Sequence, residues 1–293
     1  MTQREINLVA DIGGTNLRIG IADNDGSTHS LDVYQCAEFE GLADVIKDYI
    51  DNKQLHDAKL NACLAIACPV ENDVIVMTNL PWQFSKSALK AELSLNKLLL
   101  INDYTAIAHA IPMLNELQKV QIGGGTEVKG KPVSICGPGT GLGVANLVHD
   151  NDRWLSLSGE GGHVDFAPVD QQETQILTFL QAKYSHVSYE QLLSGLGLEQ
   201  IYQALSQQDE LPMLAAKDIT AKALAKECQI CEETLAQFCR VLGSFAGNLA
   251  LTLGSFGGVY IAGGIVPRFI EYFKNSEFRK RFEEKGRLSG FNQ

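Results

Sequence analysis

The feature that most constrains the fold is an apolar run, residues 98–101, that stops at two polar residues, Asn102 and Asp103. Four consecutive apolar residues before a polar break predict a buried strand, and open α/β sheets bind ligands at the carboxyl ends of their strands. Asp103 is therefore a candidate functional residue. The alternative is that Asn102 and Asp103 cap the following helix, since both residue types are preferred at helix N-termini.

The length and composition predict a globular protein with one large or two ordinary domains. The chain has 293 residues, of which 45% are hydrophobic and 20% are charged. The formal net charge of -11 disfavours nucleic acid as a partner, because phosphate-backbone binders normally present a basic face. Pro112 and the polar segment 115–119 favour a boundary that separates a smaller α/β lobe, residues 1–112, from a larger one, residues 113–293.

The apolar segments predict neither export nor a membrane anchor. Residues 1–11 lack the basic and apolar regions of a signal peptide. The uncharged segment 241–267 is rich in glycine and is interpreted as a helix end near Gly254, a short strand at 259–261 and a turn.

The cysteines are typical of free thiols in a reducing compartment, because their number, seven, is odd and they are scattered along the chain. Cys228 and Cys231 form a CxxC pair, but no second pair or nearby histidine completes a tetrahedral zinc site. The sequence therefore predicts no structural metal.

The first glycine loop follows the apolar strand 6–10 and precedes a second strand at 17–22, which predicts a β-hairpin. Adjacent glycines allow backbone N–H groups to approach a phosphate, and the Thr15 hydroxyl adds a donor. Asp11 could hold a magnesium ion through its water shell. A plain glycine hairpin explains the pattern equally well. The candidate residues of this loop are Asp11, Ile12, Gly13, Gly14 and Thr15.

Two further glycine loops repeat the theme. The strand at 133–136 runs into Gly139, Thr140 and Gly141, and the pattern Gly-Thr-x-Leu at residues 14–17 recurs at residues 139–142. The strand at 259–261 runs into Gly263 and Gly264, where the backbone could approach a flat ligand such as adenine. A tight turn explains this last loop nearly as well.

Glu160 and His163 lie in a glycine-rich stretch, residues 158–166. Their spacing would suit a metal site on a helix, but the two intervening glycines favour a loop that presents both side chains to a polyhydroxyl ligand. Glu190 lies in the first turn of a predicted helix. There its negative charge either interacts favourably with the helix dipole or faces the ligand.

Taken in order, these motifs resemble the bacterial glucokinases. The resemblance rests on the three glycine loops, on Asn102-Asp103 and on the stretch 159–163, and it extends to connecting segments such as 66–69, 165–168 and 265–269. It covers essentially the whole chain. Each loop alone is a weak signal, whereas the ordered set is specific.

The resemblance implies a two-lobed α/β fold of the actin-like ATPase (ribonuclease H-like) class, with mixed sheets flanked by helices and with the lobes hinged over a cleft. It makes Asp103 the general base and places Asn102, Glu160, His163 and Glu190 on the sugar hydroxyls. The loops at residues 11–15 and 139–141 would hold the phosphates of ATP and its Mg²⁺, and Gly263 and Gly264 would border the nucleotide. The implied reaction is phosphorylation of glucose at O6, the first step of glycolysis.

The resemblance also implies a cytoplasmic homodimer. The family's pattern continues beyond Gln293 with a further strand and a terminal helix. The cysteine-rich zinc motif of the related repressor kinases is absent.

Three alternatives stay open at this point. One is a kinase for another hexose, such as mannose or an amino sugar. Another is a catalytically silent sugar-binding regulator, which would not need the base Asp103. The third is an actin-like or chaperone-like ATPase, in which Glu160 and His163 would have no role.

Overall fold

The structure is a computed structural model that describes residues 4–77, 80–151, 153–206 and 212–293. The chain divides into two compact units, Met1–Ile107 and Ala108–Gln293. The sequence predicts this boundary slightly later, after residue 112. The predicted lobes also contain residues 1–3, 78–79, 152 and 207–211, which lie outside the described residues.

The first unit is built on a five-stranded sheet with the order β3-β2-β1-β4-β7, accompanied by a short hairpin of β5 and β6. Strands β1 and β2 pair antiparallel, which confirms the predicted hairpin, whereas β1, β4 and β7 are parallel. The elements are β1 (Glu5–Ile12), β2 (Asn16–Ala22), β3 (Thr28–Gln35), α1 (Leu42–Asn52), β4 (Lys59–Ile66), β5 (Val74–Val76), β6 (Gln83–Ser85), α2 (Lys86–Glu92), β7 (Lys97–Asn102) and α3 (Asp103–Ala110).

Helix α1 covers this sheet through the apolar positions that the sequence spaces three and four residues apart. All five are buried: Leu42, Val45, Ile46, Tyr49 and Ile50. They join the alternate side chains of β1 in one hydrophobic core, as a period of two in a strand and of 3.6 in a helix requires. Ser85 caps α2 as predicted, because its Oγ accepts a hydrogen bond from the N–H of Ala88 at 3.1 Å.

The second unit combines a four-stranded sheet, in the order β10-β9-β8-β11, with a group of helices. The elements are β8 (Val133–Pro138), β9 (Leu142–Asp150), β10 (Arg153–Ser158), α4 (Gln171–Gln181), α5 (Gly195–Ser206), α6 (Ala216–Ala225), α7 (Gln229–Leu253), β11 (Val259–Ile261), α8 (Ile270–Lys274) and α9 (Phe278–Glu283). Helix α7 runs through the core of this unit and ends at Gly254, close to the predicted position. Among the described residues, none of the helices is both long and apolar enough to cross a membrane.

A buried ion pair connects α9 with α4. The Arg281 guanidinium lies 2.8 Å from a carboxylate oxygen of Glu173 and also donates to the Ser244 hydroxyl on α7. The side chains of Arg281 and Glu173 are 8% and 1% exposed. Arg281 also lies 3.4 Å from a carboxylate oxygen of Asp170. The buried Glu173 carboxylate, in contrast, depends on Arg281 for its compensating charge.

Replacing Arg281 by alanine is expected to destabilise the second unit by about 3–5 kcal/mol, because the Glu173 carboxylate would be left buried without its cation. The matched control is Lys280→Ala, which removes the neighbouring cation from an exposed pair with Glu277 and is expected to cost less than about 1 kcal/mol. Urea unfolding of the two variants measures the difference. Equal midpoints would contradict the assignment of Arg281 as a structural ion.

Candidate functional site

The carboxyl ends of three parallel strands lie side by side in the first unit. The strand register pairs Ile12 with Ile66 and Ile66 with Asn102, so β1, β4 and β7 end in one row. Adjacent strands are about 4.8 Å apart. The loop after β1 and the Asn102-Asp103 pair after β7 therefore meet at the same sheet edge, two strand spacings apart.

Asn102 is the residue at which β7 gives way to α3. Its Oδ1 accepts hydrogen bonds from the backbone N–H groups of Tyr104 at 2.9 Å and Thr105 at 3.4 Å. One Asp103 carboxylate oxygen also lies 2.9 Å from the Tyr104 nitrogen. The capping interpretation is thus correct for Asn102, and it is compatible with a functional role because the cap fixes the residue at the sheet edge.

Cys68, which sequence reasoning did not select, interacts electrostatically with Asp103. It follows the end of β4 and is 4% exposed. Burial, together with the negative charges of Asp103 and Glu71, raises the pKa of the Cys68 thiol. The thiol is therefore harder to ionise than an ordinary cysteine. The only sequence signal for this placement is that Cys68 ends the apolar run of the neighbouring strand.

The first glycine loop turns tightly between β1 and β2. The N–H of Gly13 donates to the carbonyl of Asn16 at 3.0 Å, and the carbonyl of Thr15 accepts from the N–H of Cys36 at 2.9 Å. The Asp11 side chain is 56% exposed, and its Oδ2 lies 3.1 Å from a guanidinium nitrogen of Arg18 on β2. Sequence reasoning missed Arg18, because only the pairing of β1 with β2 shows that it lies opposite Asp11. An exposed carboxylate and a cation therefore stand beside the first candidate phosphate loop.

The second and third glycine loops lie at one edge of the second unit's sheet. Strands β8 and β11 are parallel, and the N–H of Ala262 donates to the carbonyl of Cys136 at 2.8 Å. Gly263 has a φ of +85°, and a Cβ there would collide with the carbonyl of Pro138. Only glycine fits this contact without strain.

The second loop is closed by its own backbone and by α5. The N–H of Gly139 donates to the carbonyl of Gly141 at 2.8 Å. The carbonyl of Gly139 accepts from the N–H of Gly195, the first residue of α5, at 3.0 Å. The candidate phosphate loop is thus anchored at the N-terminal end of a twelve-residue helix.

Glu190 connects the second glycine loop with His163. Its Oε2 accepts a hydrogen bond from the N–H of Leu142 at 2.8 Å, and its Oε1 lies 3.9 Å from Nε2 of His163. The segment Tyr189–Gln191 is a single 3₁₀ turn capped by Ser188. The Glu190 carboxylate therefore contacts the loop at residues 139–142 and does not interact with a helix of its own. Gly141 makes room for it, since a Cβ there would collide with the carboxylate.

Glu160 and His163 lie at the two ends of another short turn. Residues Gly161–His163 form one 3₁₀ turn, in which the N–H of His163 donates to the carbonyl of Glu160 at 3.0 Å. The sequence predicts a loop here, and the structure contains this single turn. The structure therefore brings Glu160, His163, Glu190 and residues 139–141 together in the second unit, whereas Asp11–Thr15, Asn102 and Asp103 belong to the first.

The CxxC cysteines lie at the start of α7, where the N–H of Cys231 donates to Sγ of Cys228 at 3.3 Å. All seven cysteines are free thiols. Within the described ranges, no group of three or more His, Cys, Asp or Glu side chains is arranged to hold a metal ion.

Comparisons with known proteins agree on one family. The family model for glucokinase matches residues 8–293. The chain is 58% identical to a glucokinase of Colwellia psychrerythraea over 295 aligned positions, which cover 98% of this chain and 89% of that one.

Two solved structures show the fold. The crystal structure of a glucokinase from an Antarctic psychrotroph has a TM-score of 0.88 and 36% identity, with coverage of 99% of this chain and 92% of that chain. A ROK family glucokinase from Streptomyces griseus in complex with glucose and AMPPNP has a TM-score of 0.60 and 17% identity, with coverage of 95% and 88%. The predicted α/β, actin-like ATPase fold class is confirmed.

Alanine at Gly141 is expected to destabilise the second unit by about 0.5–1.5 kcal/mol, because the new methyl group would displace the Glu190 carboxylate from the N–H of Leu142 and so cost one hydrogen bond. Gly159→Ala is the matched control, since a Cβ at Gly159 would have no neighbour within 4 Å. Melting temperatures of the two variants measure the effect. Identical melting temperatures would contradict the close packing at Gly141.

Proposed function

Because the chain belongs to the glucokinase family, we propose that it transfers the terminal phosphoryl group of ATP to the 6-hydroxyl of D-glucose, giving glucose 6-phosphate and ADP. The observation that carries the proposal is the alignment of Asn102 with Ile12 in one row of strand ends. This register places an acidic residue and a glycine loop at the same sheet edge, where a base and a phosphate site are both needed.

In this proposal Asp103 is the general base. Its carboxylate accepts the proton of the 6-hydroxyl while the oxygen forms a bond to the γ-phosphorus and the bond to the ADP oxygen breaks. Such proton transfer contributes about 10²–10⁴ in rate. The neighbouring Asn102 uses its Oδ1 as a cap, and its amide N–H donors are suited to a sugar oxygen.

The sugar ligands of the second unit would be Glu160, His163 and Glu190. Glu190 is already held by the N–H of Leu142, which fixes one carboxylate oxygen and turns the other toward His163. Carboxylates accept and imidazoles donate hydrogen bonds to hydroxyls, so this set matches a polyhydroxyl ligand. A pocket built from such groups would discriminate against sugars that leave them unpaired.

The nucleotide would be held by the three glycine loops. We assign its phosphates to the loops at residues 11–15 and 139–141, through backbone N–H groups other than those of Gly13 and Gly139, which donate within their own turns. Gly263 and Gly264 would border the base or ribose. The structure of the Streptomyces griseus protein with AMPPNP supports ATP as the phosphoryl donor. Phosphoryl transfer depends mainly on positioning and charge neutralisation, which these donors would provide.

For Mg²⁺ we assign Asp11, whose half-exposed carboxylate lies near the end of β1. Because one of its oxygens is paired with Arg18, the other would contact the ion through retained water, as Mg²⁺ prefers. When bound with the nucleotide, Mg²⁺ would neutralise negative charge on the phosphates. The homodimer, the cytoplasmic location and the place in glycolysis stay predictions from the family resemblance.

Asp103→Ala is expected to lower kcat for glucose phosphorylation at least about a hundredfold, because the proton of the attacking hydroxyl would lose its acceptor. A coupled assay for glucose 6-phosphate with ATP, Mg²⁺ and glucose measures the rate. The matched control is Asp44→Ala. Asp44 occupies the first turn of α1 as Asp103 does that of α3, so this control removes a helix-dipole contribution without removing the base.

An active parent with an Asp103→Ala variant of similar kcat would refute the assignment of the base. An equal loss in Asp44→Ala would show that the carboxylate matters only for helix stability. A parent that produces no glucose 6-phosphate would refute the proposed reaction itself.

A further inference from the structure

The turn that carries His163 and the turn that carries Glu190 are joined by backbone hydrogen bonds. The N–H of Phe166 donates to the carbonyl of Val187 at 2.9 Å, and the N–H of Tyr189 donates to the carbonyl of Val164 at 3.1 Å. Between them, Asp165 and Ser188 form an isolated antiparallel bridge. Residues 164–166, which follow the first turn, are therefore paired as a short two-stranded segment with residues 187–189, which lead into the second turn.

His186 lies directly before residues 187–189, and its two ring nitrogens contact residues of the paired segment and of the turn before it. Its Nε2 lies 2.9 Å from the carbonyl oxygen of His163, and its Nδ1 lies 3.2 Å from a carboxylate oxygen of Asp165. A carbonyl oxygen only accepts hydrogen bonds, so Nε2 must carry a hydrogen and donate it.

We infer that His186 is a positioning residue for glucose binding, an inference that rests on the function proposed above. It acts through His163: its hydrogen bond fixes the carbonyl of the residue whose imidazole faces Glu190 at 3.9 Å. The N–H of His163 is bonded in turn to Glu160. Holding His163 therefore holds both ends of the turn that presents the two sugar ligands.

The middle of the turn consists of Gly161 and Gly162, which pack against Val144 and Leu142 of β9. The contact from His186 adds a restraint at the carbonyl of His163, at the end of the turn. Glycine loses more conformational freedom on ordering than any other residue, so a turn built from it is costly to hold in one geometry. The hydrogen bond from His186 restricts the turn before the sugar arrives. Preorganisation of this kind raises affinity without adding a contact to the ligand.

The exposure of the pair indicates that its effect is local. The side chains of His186 and Asp165 are 53% and 90% exposed, and exposed ion pairs contribute little to global stability. Loss of His186 should thus change the binding of the sugar and leave the melting temperature nearly unchanged.

The test is His186→Ala, assayed for glucose phosphorylation with glucose and ATP varied separately. We expect the KM for glucose to rise about three- to tenfold, the range of one lost hydrogen bond, while the KM for ATP stays within about twofold of the parent. The melting temperature should change by less than about 2 °C, as for an exposed substitution. His186→Gln, whose amide can donate to the carbonyl of His163, should restore most of the affinity for glucose.

The control is His56→Ala. His56 makes a similar exposed pair in the first unit, with Nε2 3.2 Å from a carboxylate oxygen of Asp51. This variant should leave both KM values at the parental level. An equal rise in the KM for glucose in His56→Ala would overturn the inference, because the effect would then follow from losing any surface histidine.

Other outcomes separate the inference from the proposed function. An active parent with an unchanged KM for glucose in His186→Ala, or with equal rises for both substrates, overturns the inference alone. If the parent is inactive, calorimetry with glucose decides: a three- to tenfold weaker affinity in His186→Ala supports the positioning role, and an equal affinity overturns it. A parent that neither reacts with nor binds glucose overturns both.

Discussion

The parallel pairing of neighbouring strands is the constraint on which the candidate site depends. In the first unit it sets the end of β1 beside the ends of β4 and β7, and in the second it sets the turn after β8 beside the turn after β11. Parallel strands need long crossover connections, which is why residues that share an edge are far apart in sequence. A shift of one residue in either register would turn every side chain to the opposite face of its sheet.

Backbone N–H donors and side-chain oxygen acceptors are paired along these edges. Glu190 satisfies the N–H of Leu142, and Gly141 leaves the space that this carboxylate fills. Asn102 satisfies the first N–H groups of α3. Each of these side chains binds a backbone N–H and still presents a second polar group, so a structural role is compatible with the functional role that we propose for the same residue.

Much of this arrangement follows from local sequence patterns. The β1–β2 hairpin, the buried face of α1, the cap at Ser85 and the long helix α7 are all predicted, because periodicity, glycine pairs and capping residues act within a few residues of one another. The contacts of Arg18, Cys68 and His186 are not. Each depends on which element lies beside it, and single-sequence periodicity carries no information about pairing between distant segments.

The same distinction explains why the local pattern alone leaves two interpretations of Glu190 open, and why only the family resemblance favours the ligand-facing one. The position of Glu190 in the first turn of a predicted helix is equally well explained by the helix dipole. The observed turn is too short for that account: Tyr189–Gln191 has only three residues, and the carboxylate instead bonds to the N–H of Leu142, 48 residues earlier in the chain. A helix dipole favours a carboxylate in a general direction, whereas a hydrogen bond from a particular N–H fixes its position. A fixed position is what the proposed role of Glu190 as a sugar ligand would require.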